Sequence, residues 1–314
     1  MLEFPQQKNH ELPLCTEETD FPLPAQLNAK TRYAFFSTIA TGGKSLIKSC
    51  VDLHLRRRVC YKTLRPEFVD NDIESLRLLR EARISAMLQH PNTVPTYELG
   101  RDSRGHYYFT MKLIHGYTLR EIFNFRERYD LTQLLDVIVQ VASALAYAHS
   151  MGVLHRDIKP DNILIGPYGE VLLLDWGMAK VWTKDHQDSA TDHIDVDEVN
   201  ADLGMTGEGK LQGTVMYMSP EQIERNPNIS FGSDIYSLGA VLYETLSGTT
   251  PFQGEIVRKL LDKIRTETPA YPQSTTQQPL PAALCDLSMQ CLAKNPEHRP
   301  GSAADFIRRI KNGF

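Results

Sequence analysis

"HRDIKPDNILIGPYGEVLLLDWG", residues 155–177, decides how the rest of the chain is read. Its apolar runs, NILIG (162–166) and VLLLDWG (171–177), have the length of strands rather than helices. Arg156, Asp157, Lys159 and Asn162 crowd in front of the first run, and Asp175 closes the second. Upstream, LTQLLDVIVQVASALAYAHSMG (131–152) predicts a long helix with Gly152 at its C-cap. Downstream, SDIYSLGAVLYETLSG, EIVRKLLDKIRTE, LPAALCDLSMQCLAK and SAADFIRRIKNG predict further helices.

Before Gly116 the pattern is different. YAFFSTIA and KSLIKSCVDL flank a Thr41-Gly42-Gly43 turn like the arms of a hairpin, and RRVCYKTL supplies a third strand. DNDIESLRLLREARISAML (70–88) predicts a helix capped by Asp70 or Asn71, with Ile73, Leu76, Leu79, Ile84 and Leu88 as its apolar stripe. TVPTYELG and HYYFTMKLI predict two more strands turning at Gly105. The expected fold is therefore α+β: a small β-rich N-lobe with one helix (31–112), then a larger, mainly helical C-lobe (116–314). Residues 1–30, rich in Pro, Gln and acidic residues, read as a flexible N-terminal arm.

Composition excludes several alternatives. The 314 residues suffice for a large core, and 23% charged with 41% hydrophobic residues is ordinary for a globular chain. A net charge of −5 gives no reason to expect nucleic acid or an anionic membrane as partner. No apolar run is read as approaching the ~20 residues of a membrane span, and the N-terminus lacks a secretory pattern. The five cysteines, Cys15, Cys50, Cys60, Cys285 and Cys291, form no CxxC and read as reduced packing residues of a cytoplasmic protein.

HRDIKPDN, DWG at 175–177, GTVMYMSPE at 213–221 and SDIYSLG at 233–239 together resemble the protein kinase family. HRDIKPDN and GTVMYMSPEQ resemble its bacterial Ser/Thr branch, and the resemblance covers about residues 33–312. It implies a two-lobed protein kinase fold and transfer of the γ-phosphate of ATP, with Mg²⁺ or Mn²⁺, to Ser/Thr hydroxyls of proteins. Such chemistry needs positioning and neutralisation of phosphate charge more than covalent help.

By the same resemblance Asp157 would accept the proton of a substrate hydroxyl, and Lys159 would offset charge on the transferring group. Asn162 and Asp175 would supply oxygen ligands to the metal. Lys62 would contact the α- and β-phosphates, held by Glu81. Ile47 and Cys60 would roof the adenine, Leu164 would floor it, and Met111 would set the pocket's depth. Lys112 and Ile114 would offer backbone hydrogen bonds to the base. Glu221 with Arg299, and Asp234 under the catalytic loop, would be scaffold.

IATGGKSLIKSC (39–50) looks like a phosphate-binding loop that has lost most of its glycines. The three glycine positions of the pattern fall on Ala40, Gly42 and Ser45, within a loop of Ile39, Ala40, Thr41, Gly42, Gly43 and Ser45. Backbone N–H groups bind phosphate whatever the side chain, so a stiffer lid is expected rather than a dead one. Lys44 could lend charge to the phosphates or stand in solvent. Ser85, four residues after Glu81, and Trp176 in place of the usual Phe are two further departures. They keep open the alternative of a pseudokinase, a nucleotide-binding or scaffolding module. Arg156 would bind a phosphorylated residue of a long activation segment (175–221), with Thr206 as first choice among Thr183, Ser189, Thr191 and Thr206. The acidic stretch 181–212 could equally be a solvated insert.

Overall fold

Strand-forming residues in the first 110 positions build one sheet. In the computed structural model, which describes residues 22–23, 31–181, 215–224, 226, 229–254, 256–274 and 279–313, the described residues up to Gln89 together with Val94–His115 form one of two units. The strands are β1 (Tyr33–Thr41), β2 (Ser45–Asp52), β3 (Arg57–Leu64), β4 (Thr96–Arg101) and β5 (Tyr107–Met111), all antiparallel in the order β1-β2-β3-β5-β4. One sheet face carries Cys50, Val59, Tyr61 and Tyr108 with Tyr33 against them. The other carries Leu64 and Phe109, on which Leu78 and Ala82 of helix α1 (Asp72–Met87) pack. A side chain buried like Phe109, 1% exposed, stabilises the fold by roughly 1.5–3 kcal/mol.

Asn71 caps α1, accepting the N–H groups of Ile73 and Glu74. The stripe expected for this helix needs correction. Leu79, Ile84 and Leu88 are buried, but Ile73 and Leu76 are 59% and 54% exposed. The inward face is shared instead with Glu74 and Glu81, whose carboxylates meet Lys44 of the β1–β2 turn and Lys62 of β3. Reading apolar residues alone therefore misplaces the stripe. Gly105 turns β4 into β5 at φ 90°, as its position suggested.

The second unit comprises His90–Thr93 and the described residues from Gly116 on. Its core helix, α3 (Leu131–Ser150), begins in a capping box of Asp130 with Gln133 and is followed by Gly152 at φ 73°. Around it lie β6 (Tyr117–Thr118), α2 (Leu119–Phe123), β7 (Val153–Leu154), β8 (Ile163–Ile165), β9 (Val171–Leu173) and β10 (Lys180–Val181). The helices α4 (Pro220–Ile223), α5 (Phe231–Ser247), α6 (Val257–Thr266), α7 (Ala282–Cys291) and α8 (Ala303–Asn312) follow. β6-β8-β9 and β10-β7 form two small sheets. α5 is buried from Ser233 to Ser247, and a Cβ on its Gly239 would lie 2.2 Å from Cβ of Cys291, so α7 approaches only because this residue is glycine.

The expectation that no segment approaches spanning length also needs correction. α3 has 20 residues and a mean hydropathy of 1.5, enough by length and composition to cross a membrane. Its apolar side chains pack against α5 and α8 inside this unit. The four described cysteines are free and buried, in keeping with packing roles.

Candidate active site

The loop between β7 and β8 is built around two strained or crowded points. Arg156 adopts φ 68°, a conformation a long side chain rarely takes and one that costs on the order of 1–3 kcal/mol. Asp234, fully buried in the first turn of α5, offsets this cost. Its Oδ1 accepts the Arg156 N–H at 2.8 Å, and its Oδ2 accepts the His155 N–H at 2.9 Å. His149 Nε2 stands 2.8 Å from the same Oδ2. Burial by itself would raise this carboxyl, but His149 and the backbone N–H of His155 hold it below the usual carboxylate range. Gln222 donates to the Arg156 carbonyl at 2.8 Å and closes the clamp.

Beyond the clamp the chain presents Asp157. Lys159 Nζ lies 2.9 and 2.8 Å from its two oxygens, and Asn162 Nδ2 donates to its carbonyl at 2.8 Å and to Oδ2 at 2.9 Å. Burial pushes the Asp157 carboxyl up; the Lys159 ammonium opposes that and the Asp175 charge adds to it. A carboxylate so raised is a better proton acceptor than a solvated one. Asp175 is exposed at φ 60° and accepts the Gly177 N–H at 3.3 Å.

Both amide hydrogens of Asn162 point at Asp157, so the ligand atom it offers is its carbonyl oxygen. That amide oxygen and the Asp175 carboxylate are both hard oxygen donors. They suit a hard cation that takes its other ligands from phosphate and water. Among the described residues no group of three or more His, Cys, Asp or Glu is placed to hold a metal by itself.

In the first unit, Lys62 on β3 meets Glu81 on α1 at 2.5 Å, with both side chains at most 10% exposed. Ile47 pairs with Lys62 across β2 and β3, and Cys60 pairs with Met111 across β3 and β5. By the strand alternation these four residues share one sheet face. Burial pushes the Cys60 thiol up to about 12, so it is inert. The Lys112 N–H is taken by the Pro95 carbonyl at 3.0 Å, and Ile114 is partly exposed nearby in the chain. Leu164 lies on β8 of the second unit, partly exposed.

Ile39, Ala40, Thr41 and Gly43 are exposed at the β1–β2 turn, whereas Gly42 and Ser45 are partly covered. Gly42 N–H donates to the Ser45 carbonyl at 2.8 Å. Neither Gly42 nor Gly43 takes a positive φ, so the turn does not depend on glycine for that reason. Lys44 does not stand in solvent: its Nζ is 2.9 Å from Glu74.

A model of the protein kinase domain matches residues 33–309. The chain belongs to the protein kinase family. Curated relatives include three proteins named serine/threonine-protein kinase PknD. That of Chlamydia felis (strain Fe/C-56) is 33% identical over 287 residues, covering 88% of this chain and 30% of the relative. That of Protochlamydia amoebophila (strain UWE25) is 31% identical over 313 residues, covering 94% and 31%. That of Chlamydia trachomatis serovar D is 33% identical over 297 residues, covering 89% and 31%. The chain thus spans about 30% of the length of the curated relatives it matches.

As a kinase domain it has the two-lobed fold expected, and the pairs expected as scaffold are in place. Arg299, its side chain fully buried, forks onto Glu221 at 2.6 and 2.9 Å, and Ser233 adds a hydrogen bond at 2.7 Å. Burial opposes ionisation of Glu221, but Arg299 prevails and holds the carboxyl below its usual range. Arg156 donates Nε–H to the Met178 carbonyl at 2.6 Å, three residues past Asp175. Thr206, with Thr183, Ser189 and Thr191, lies outside the described residues. Trp176 is buried edge-on against His155 at 4.5 Å, and its indole N–H has no acceptor among the described residues.

Two features carry no mark in the sequence. Arg120 on α2 binds Glu244 on α5 at 2.7 Å, lies 3.6 Å from Asp161 and contacts Tyr217, which donates to Glu244 at 2.5 Å. Arg120 and Glu244 stand 124 positions apart, so no local pattern could have joined them. The other is the Lys44–Glu74 pair.

Proposed function

We propose that this chain transfers the γ-phosphate of ATP to Ser/Thr hydroxyls of proteins, using Mg²⁺ or Mn²⁺, and phosphorylates its own activation segment. The observation that carries this reading is the loop braced by Asp234, where Asp157, Lys159 and Asn162 are hydrogen-bonded into one cluster. Asp157 takes the proton from the attacking hydroxyl, whose oxygen bonds to the γ-phosphorus as the bond to the β–γ bridging oxygen breaks and ADP leaves. Lys159 releases part of its hold on Asp157 to offset charge on the group in transit. Lys62, fixed by Glu81, orients the α- and β-phosphates. Asn162 and Asp175 would hold the cation, which would supply neutralisation of phosphate charge. Ile39, Ala40, Thr41, Gly42, Gly43 and Ser45 cover the phosphates; Ile47, Cys60, Met111, Lys112, Ile114 and Leu164 hold the adenine.

Arg156 and Thr206 are the proposed regulatory pair. Lobe boundaries at 31–112 and 116–314, a Ser/Thr-bearing protein substrate and a cytoplasmic location complete the reading; the four free cysteines support the last. Transfer of labelled γ-phosphate to the chain itself and to a generic basic protein tests it, with Asp175→Asn alongside. Label with the parent and none with the variant is expected. ATP binding without transfer under either metal would leave a pseudokinase.

A further inference from the structure

We infer that Lys44 and Glu74 form a second positioning pair, which ties the phosphate loop to the helix that carries Glu81. The inference rests on the transfer reading above and adds two residues to it.

Four observations carry it. Lys44 directly precedes β2, and its Nζ lies 2.9 Å from Oε1 of Glu74. The Glu74 side chain is only 7% exposed, so the pair is less screened than one on the surface. Glu74 and Glu81 are seven residues apart, two turns along one face of α1; Glu74 binds a lysine of the β1–β2 turn and Glu81 a lysine of β3. The loop tip is also held from the other side: Arg65 donates its N–H to the Lys44 carbonyl at 2.9 Å and Nη1–H to the Gly43 carbonyl at 3.0 Å.

The consequence is mechanical. Lys62–Glu81 fixes the middle of α1 to β3, and Lys44–Glu74 fixes its first turn to the loop tip. Loop and helix then move together: withdrawing α1 withdraws the tip from the phosphates. This explains how a loop with Ala40 and Ser45 at two glycine positions holds its place, and gives α1 a second anchor despite Ser85. Glu74 suits the task because a carboxylate in the first turn is favoured by the helix dipole, and Arg77, 2.9 Å away, holds it in place.

The test uses the full chain with Lys44→Met, Glu74→Gln, Lys44→Arg, Arg77→Met and the reversed pair Lys44→Glu/Glu74→Lys. Lys44→Met and Glu74→Gln are each expected to lower kcat/KM for ATP on the order of tenfold, mainly through KM. Lys44→Arg stays within about threefold of the parent, and Arg77→Met changes less than Glu74→Gln. The reversed pair regains part of the loss, short of all of it because lysine in a first turn is disfavoured. Loss with Lys44→Met but not with Glu74→Gln would overturn the inference, since Lys44 would then act on the phosphates directly. So would parent-like kinetics in both. If the parent transfers no phosphate, the function reading fails and the pair is judged by hydrogen exchange. Faster exchange at 40–46 in Glu74→Gln, restored in the reversed pair, supports it; unchanged exchange overturns it.

Discussion

Asp234→Asn removes one charge without changing volume, and its cost can be worked from the three groups that face it. His149 Nε2, the His155 N–H and the Arg156 N–H all lie within 2.8–2.9 Å of the carboxylate. An amide has one oxygen, so at least one of these groups must face an NH₂. That forfeits a charge-assisted bond, about 1.5–3 kcal/mol, and strands a buried donor, about 1–3 kcal/mol. A loss of roughly 3–5 kcal/mol follows, and the clamp on Arg156 at φ 68° loosens with it. Urea denaturation of parent and variant gives the stability change, and kcat for phosphate transfer gives the effect on the loop. A loss under about 1 kcal/mol with unchanged kcat would refute the idea that Asp234 offsets the strain.

Other outcomes follow from the same geometry. Lys62→Met and Glu81→Gln should each lower kcat on the order of 10²-fold and also lower the melting temperature, since each removes one side of a buried ion pair, at a cost of about 3–5 kcal/mol. Glu221 and Asp234 both have depressed carboxyls, so their stabilisation is full above the unfolded carboxylate range and is lost as pH falls through their folded values. Parent melts should therefore weaken below about pH 4, and Glu221→Gln should flatten that slope. Trp176→Phe sheds a buried indole N–H that has no acceptor among the described residues, worth about 1–3 kcal/mol, against a similar loss of apolar area. The thermal melt should move little; a large fall would show that the indole N–H is satisfied in solution. EDTA should abolish transfer, and Mg²⁺ should restore it, if Asn162 and Asp175 are the ligands.

Local chemistry was enough for much of this protein. Alternation wrote the five-stranded sheet and its turns at Thr41–Gly43 and Gly105, and long apolar periods wrote α3 and α5. The motif HRDIKPDN, with DWG and GTVMYMSPE, was enough to name the family, because chemistry that depends on placement keeps residue types and order together. What tertiary structure decided lies where a side chain's partner is distant in the chain. The inward face of α1 was misread because Glu74 and Glu81 are polar by sequence and buried only through Lys44 and Lys62, 30 and 19 positions away. The same holds for the Arg120–Glu244–Tyr217 cluster. A short sequence window carries propensity and period but not the position of a distant counter-charge. Without that counter-charge a buried carboxylate looks like surface.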